Sequence, residues 1–111
     1  MSIRVCLAGA TGWAGSALAR GLARSSDLEL VSAVARKHAG QNLGAVLHIE
    51  NLQCPISADA RAALSQPCDV FVEYTKPDTA KANILNALEH GAHVVVGTSG
   101  LTVDDYAEIE T

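Results

Sequence analysis

Gly9-Ala10-Thr11-Gly12-Trp13-Ala14-Gly15 follows the apolar run Ile3-Arg4-Val5-Cys6-Leu7-Ala8 and opens the apolar-patterned segment from Ala14 to Ala23. A strand, a glycine turn and a helix in that order make a phosphate site. The start of a helix leaves backbone N–H groups unpaired and carries the positive end of the helix dipole. In this arrangement Gly9 permits the tight turn, Gly12 lets the backbone approach a phosphate without a Cβ in the way, and Gly15 lets helix and strand pack closely. The spacing G-x-x-G-x-x-G is a relative of G-x-G-x-x-G, and the bare pattern is weakly specific. The strand before it and the helix after it point to a bound dinucleotide rather than to glycines that serve packing alone.

The helix that follows carries Ala14, Ala17, Leu18, Gly21 and Leu22 at i, i+3, i+4, i+7 and i+8, which predicts one buried stripe with Arg20 and Arg24 pointing away. Ser25-Ser26-Asp27 breaks the pattern, and Leu28 to Ala35 reads as a second strand. A fold of this kind that selects NAD places an Asp or Glu about 20 residues past the glycines, where it accepts from the ribose 2′-OH. Here that place reads Val34-Ala35-Arg36-Lys37-His38, with no acid. Two cations suit a 2′-phosphate, because Arg offers a planar fork of donors and Lys a mobile point charge. The cofactor expected is therefore NADP (NADPH), with NAD as the second choice, and Arg36 is the expected contact. A solvated basic turn is the plainer reading of the same residues.

Ala39-Gly40-Gln41-Asn42-Leu43-Gly44 reads as a loop, and Leu52 to Ile56 as a short strand that Pro55 confines to an edge. Ser57 is a plausible N-cap for a helix over Ala58 to Leu64, with Asp59 in its first turn. Asp69 to Tyr74 is a strand, and Thr75-Lys76-Pro77-Asp78 turns into a helix that Pro77 can begin. Ala80, Ile84, Ala87 and Leu88 line its expected buried face and Gly91 its left-handed stop. His93 to Val96 is a fifth strand, Gly97 to Gly100 the turn after it, and a last helix begins near Thr102. The fold class is α/β, a doubly wound parallel sheet in three α/β/α layers. Thr75-Lys76 and Gly97 to Gly100 should face the crevice of the glycine turn, at the carboxyl ends of the strands.

At 111 residues the chain reads as one domain, 49% hydrophobic with 4% aromatic residues, so its core is built from Val, Leu, Ile and Ala. A net charge of −4 speaks against nucleic acid or an anionic membrane as partner. No apolar run approaches the ~18–20 residues that cross a bilayer, and no signal peptide is read, so a cytoplasmic protein is expected. Cys6, Cys54 and Cys68 are widely spaced and read as small buried hydrophobes. His90 and His93 flank Gly91 and share no helical face, so no metal site is read.

With these residues in place, the chain resembles the N-terminal cofactor-binding domain of the dihydrodipicolinate reductase family (4-hydroxy-tetrahydrodipicolinate reductase). The resemblance covers nearly the whole chain. Asp69-Val70-Phe71-Val72-Glu73-Tyr74-Thr75-Lys76-Pro77 and Val96-Gly97-Thr98-Ser99-Gly100 are similar to the family's D-F-T-x-P and G-T-T-G segments. It implies a Rossmann-like domain spanning residues 1–111, with the substrate and tetramerisation domain absent from this chain. It also implies NAD(P)H-dependent hydride transfer in diaminopimelate and lysine biosynthesis, a small dicarboxylate substrate held by that second domain, and a homo-oligomer when full length.

By the same resemblance the cofactor contacts fall on Gly9, Ala10, Thr11, Gly12, Trp13 and Ala14, near Arg36, on Thr75 and Lys76, and on Gly97, Thr98 and Ser99. No catalytic residue is assigned, and this segment alone is expected to be inactive. Trp13 and Ala14 stand where the family often has Arg and Met, and Glu73 and Tyr74 where Asp and Phe are common. Trp13 is read either as a cofactor contact or as a cap on a neighbouring loop. Two other readings remain open. One is another reductase of the G-A-T-G type, which would need a downstream nucleophilic Cys that Cys68 does not match. The other is a non-catalytic dinucleotide-sensing module.

Overall fold

The computed structural model describes residues 3–50, 52–65, 68–75 and 77–97. In chain order these form β1 (Ile3–Ala8), α1 (Trp13–Arg24), β2 (Leu28–Val34), α2 (Leu43–Val46), β3 (Ile56–Ser57), α3 (Ala60–Ala63), β4 (Val70–Glu73), α4 (Pro77–Glu89) and β5 (His93–Val96). The five strands make one sheet in the order β3-β2-β1-β4-β5, with every pair parallel. The chain winds outward from β1 to β3, then returns to the other side of β1 for β4 and β5. The order therefore reverses between β1 and β4, where a crevice opens at the carboxyl ends of the strands.

Alternation along the strands divides the core in two. Val5 and Leu7 face Leu18, Ala19 and Leu22 of α1 and Leu43 of α2, together with Leu30 and Val72. Cys6, Ala8 and Phe71 face Ala60 and Ala63 of α3 and Ala87 of α4. Helices on both faces of a parallel sheet give the Rossmann-like three-layer architecture expected from the sequence. Cys6 and Cys54 are buried, as read, while Cys68 is half-buried. Burial pushes the thiols of Cys6 and Cys54 up to about 12, which leaves both as inert packing groups.

Five local expectations need correction. The buried face of α1 is Gly15, Leu18, Ala19 and Leu22, and Ala14, Ala17 and Gly21 are exposed. The helix is turned by one residue, about 100°, because a Cβ at position 15 would overlap the Gly9 carbonyl. Only glycine can stand at that contact, and it sets the rotation. Leu88 is 42% exposed, since Ala80, Ile84 and Ala87 already define the face of α4 that meets the sheet.

The segment read as a loop over Ala39 to Gly44 runs into the short helix α2. Its N-cap Asn42 accepts at Oδ1 from the amides of Gly44 (3.3 Å) and Cys54 (2.7 Å) and donates from Nδ2 to Leu52 O at 3.0 Å. The cap of α3 is Asp59 rather than Ser57: Asp59 Oδ1 accepts from the Ala62 amide at 2.8 Å, while Ser57 is committed to β3 beside Val34. The edge strand before it is Ile56–Ser57 rather than Leu52 to Ile56, because the Leu52 carbonyl and the Cys54 amide are taken by the Asn42 side chain. The helix opened by Pro77 and the left-handed Gly91 (φ +80) stand as expected. The turn after Gly97 and the last helix near Thr102 lie outside the described residues.

Candidate dinucleotide site

β1 ends at Ala8 and the chain turns at Gly9, whose φ of +83° lies in the left-handed region. The turn is tied to the neighbouring strand ends. The Gly9 amide donates to Val34 O at 2.8 Å, the Gly12 amide to Gly9 O at 3.0 Å, and the Tyr74 amide to Ala8 O at 3.0 Å. A Cβ on Gly9 would lie 2.5 Å from the Tyr74 carbonyl oxygen, so β4 packs directly on the turn. Gly12 is the N-cap of α1 and no side chain caps the helix. The first turn holds no acid, so the amides that open α1 meet neither a local acceptor nor a local negative charge. These are the conditions under which a helix start holds an anion.

The predicted residues divide by position. Thr11 is half-buried at the turn, whereas the Ala10 side chain is fully buried in the core, so only its backbone can face a ligand. Trp13 is 97% exposed. Its indole therefore covers no neighbouring loop, and Ala14 beside it is exposed as well. Arg36 and Lys37 are exposed just past β2, where His38 (φ +66) turns the chain away. Neither cation forms a hydrogen bond or ion pair with another described residue.

A crevice of about 440 Å³ gathers Gly9, Thr11, Arg36, Lys37 and Thr75, and adds Val34, Ala35, Ala58, Asp59, Thr79 and Asn83. None of these six is singled out as a site residue by the sequence. Thr79 and Asn83 stand four residues apart on one face of α4, and Thr75 stands four residues before Thr79 in the turn that leads into it. That spacing is the signal that could have found them. Ala58 and Asp59 carry no comparable signal, because they reach the crevice only through the pairing of β3 with β2.

Beneath the crevice Glu73 is fully buried at the end of β4. Its Oε1 accepts from the Thr75 amide at 2.7 Å and from the Thr75 hydroxyl, which itself accepts from Thr79 Oγ1 at 3.1 Å. Burial pushes the carboxyl of Glu73 above its ordinary range, against the opposing pull of hydrogen bonds from Thr75 and Asn83. The carboxylate thereby braces the turn that carries Thr75. At the end of β5 the Gly97 amide donates to Glu73 O at 2.8 Å, and the place a Gly97 Cβ would take is filled by the Tyr74 ring. Gly97 thus makes room for Tyr74. Lys76, Thr98 and Ser99 lie outside the described residues.

At the opposite end of the sheet Arg4 Nη2 pairs with Asp69 Oδ1 at 3.2 Å, and the guanidinium holds that carboxyl below its usual range. Among the described residues no helix is long and apolar enough to cross a membrane, and no group of His, Cys, Asp and Glu is placed to hold a metal ion.

The family model described as "Dihydrodipicolinate reductase, N-terminus" matches residues 3–111. A 4-hydroxy-tetrahydrodipicolinate reductase of Bacillus pumilus is 36% identical over 110 residues, covering 98% of this chain and 41% of that protein. One from Cyanothece sp. is 33% identical over 117 residues, covering 99% and 42%. The chain thus spans about two fifths of the length of the curated relatives it matches. Among solved structures, a dipicolinate-bound dihydrodipicolinate reductase from Paenisporosarcina sp. TG-14 superposes with a TM-score of 0.80 at 22% identity, over 98% of this chain and 42% of that one. A myo-inositol dehydrogenase from Lactobacillus casei, in complex with NAD(H) and myo-inositol, gives 0.81 at 20% identity, over 99% and 32%. These two likenesses are of fold. The glycine turn, the paired strand-end segments and the match along nearly the whole chain place this protein in the dihydrodipicolinate reductase family, as its N-terminal domain.

Proposed function

We propose that this chain is the cofactor-binding domain of a 4-hydroxy-tetrahydrodipicolinate reductase and that it takes NADPH in preference to NADH. The observation that carries this reading is the meeting, in one crevice, of the glycine turn that leads into an uncapped helix start with two cations that no described residue neutralises. The backbone from Gly9 to Ala14 would hold the pyrophosphate, and the glycine cradle fits it, since side chains at positions 9 and 15 would close the turn against Tyr74 and Gly9. Arg36, with Lys37 beside it, would hold the 2′-phosphate, where an acidic residue would instead have repelled it.

Thr75 and Lys76 from one strand end, and Gly97, Thr98 and Ser99 from the next, would border the nicotinamide half. Glu73 keeps Thr75 in place there. When bound, NADPH supplies a hydride. The chain's own part is to fix where that hydride is presented. A cyclic dicarboxylate substrate is in keeping with the dipicolinate in the related structure. Its pocket would fall within the length of the relatives that this chain does not span, and the whole enzyme would be a cytoplasmic homo-oligomer. Calorimetric titration with NADPH and NADH at low salt tests the reading. Tighter binding of NADPH is expected, equal affinities would remove the 2′-phosphate role of Arg36, and no binding of either would reduce the glycine turn to a packing device.

A further inference from the structure

The carboxyl ends of the strands stand in the order β3, β2, β1, β4, β5, and that order gives the crevice a direction. The glycine turn lies beyond β1, Arg36 and Lys37 beyond β2, and Ala58 and Asp59 beyond β3, all on one crevice. Val34 stands beside Ser57 in the β2–β3 register. Arg36 and Asp59 each come two residues past that pair, just beyond the strand ends, which a last bond from the Ala35 amide to Ser57 O at 3.0 Å ties together. Neighbouring strands lie about 4.8 Å apart. A ligand with its phosphates on the glycine turn and its ribose at Arg36 therefore directs whatever the ribose carries toward Asp59. In an adenine dinucleotide that group is the base.

The surroundings suit a flat ring with one polar edge. Val34, Ala35 and Ala58 contribute apolar surface to the crevice that Arg36 and Asp59 also line. The Asp59 carboxylate is held in place, because Oδ1 accepts from the Ala62 amide at 2.8 Å. Among the described residues its other oxygen has no hydrogen bond, and Arg36 forms no ion pair with it.

We propose that Asp59 reads the base: its second carboxylate oxygen accepts a hydrogen bond from the 6-amino group of an adenine lying in this apolar slot. The crevice then selects a 6-amino purine over a 6-oxo purine, whose carbonyl oxygen would face the carboxylate acceptor to acceptor. This inference rests on the cofactor reading above and adds to it a residue for the base.

The test is calorimetric titration of the chain with NADPH and with reduced nicotinamide hypoxanthine dinucleotide phosphate, its 6-oxo analogue. Both ligands carry the 2′-phosphate, so any repulsion between that group and Asp59 cancels in the ratio of affinities. The wild-type chain is expected to bind NADPH about tenfold more tightly, the measure of one hydrogen bond to a charged acceptor. Asp59→Asn and Asp59→Ser both retain an oxygen for the Ala62 amide and so retain the cap of α3, which unchanged circular dichroism and melting would verify. Asp59→Ser is expected to abolish the preference, and Asp59→Asn to abolish or reverse it, since an amide N–H can donate to the 6-oxo group. Equal wild-type affinities, or a ratio that survives in both variants, would overturn the role of Asp59 and leave the cofactor site standing. Failure of the wild-type chain to bind either ligand would overturn the cofactor reading, and this inference with it.

Discussion

Three glycines share a left-handed backbone and differ only in what surrounds them, which allows the contact between the glycine turn and β4 to be weighed by itself. Gly9, Gly40 and Gly91 have φ of +83°, +87° and +80°. An added Cβ meets nothing within 4 Å at Gly40 or Gly91, but at Gly9 it would lie 2.5 Å from Tyr74 O and 2.7 Å from Tyr74 C. Alanine at any of the three pays a left-handed penalty of about 1–2 kcal/mol. The reduced freedom of the unfolded chain offsets part of it equally at all three sites.

Gly9→Ala adds an overlap with backbone. That backbone cannot withdraw freely, because the Tyr74 amide is bonded to Ala8 O at 3.0 Å and Tyr74 packs on Gly97. Such an overlap costs a further 1–3 kcal/mol, roughly. At about 4 °C per kcal/mol for a domain of this length, Gly9→Ala should melt about 4–12 °C below Gly40→Ala and Gly91→Ala. Thermal melts and urea titrations of the three variants supply the comparison, with an unchanged urea slope as the check that the unfolded reference is the same. If Gly9→Ala melts together with the other two, the close packing of β4 on the turn is wrong, and so is the cradle built from it.

Two further outcomes are expected. Arg36→Ala should weaken NADPH about ten- to hundredfold, the worth of a charge-assisted contact, and leave NADH nearly unchanged; equal losses in calorimetry would refute the 2′-phosphate assignment. Glu73 has its folded pKa raised by burial, so between the ordinary 4.5 and that higher value the folded state binds more protons than the unfolded one. The contribution of Glu73 to stability is then greatest below 4.5 and is lost as pH rises through the folded pKa. Glu73→Gln keeps an oxygen for the Thr75 amide and has no such titration. Its urea midpoint relative to wild type should therefore rise with pH above 4.5, and a difference that is flat or falls with pH would refute the burial argument.

The glycine turn, the β1–α1–β2 sequence and the absent acid before Arg36 were legible because each depends on neighbours in the chain. Glycine spacing, apolar runs and the residue at a strand end are local patterns with local causes. The rotation of α1 was not legible, because Ala14-Ala17-Leu18 and Gly15-Leu18-Ala19 are almost equally apolar stripes. The choice was made by the Gly9 carbonyl, which only a residue without a Cβ can approach. Asn42 was hidden for a related reason: it joins two loops by side-chain bonds to backbone at Gly44, Leu52 and Cys54, and such bonds leave no periodicity in the sequence.

The sequence by itself determined the class of fold and one end of the site, since an uncapped helix start after a strand attracts an anion wherever the rest of the chain goes. Only the tertiary structure decided how far that site extends. Pairing of β3 with β2 brings Asp59 to the same crevice as Arg36, 23 residues earlier in the chain. Pairing of β4 with β1 sets Glu73 beside Ala8 and so carries Thr75 to the glycine turn. Parallel strands need long crossovers, so the residues that meet at their ends are far apart in sequence. Sheet order, which no single segment encodes, is what brings them together.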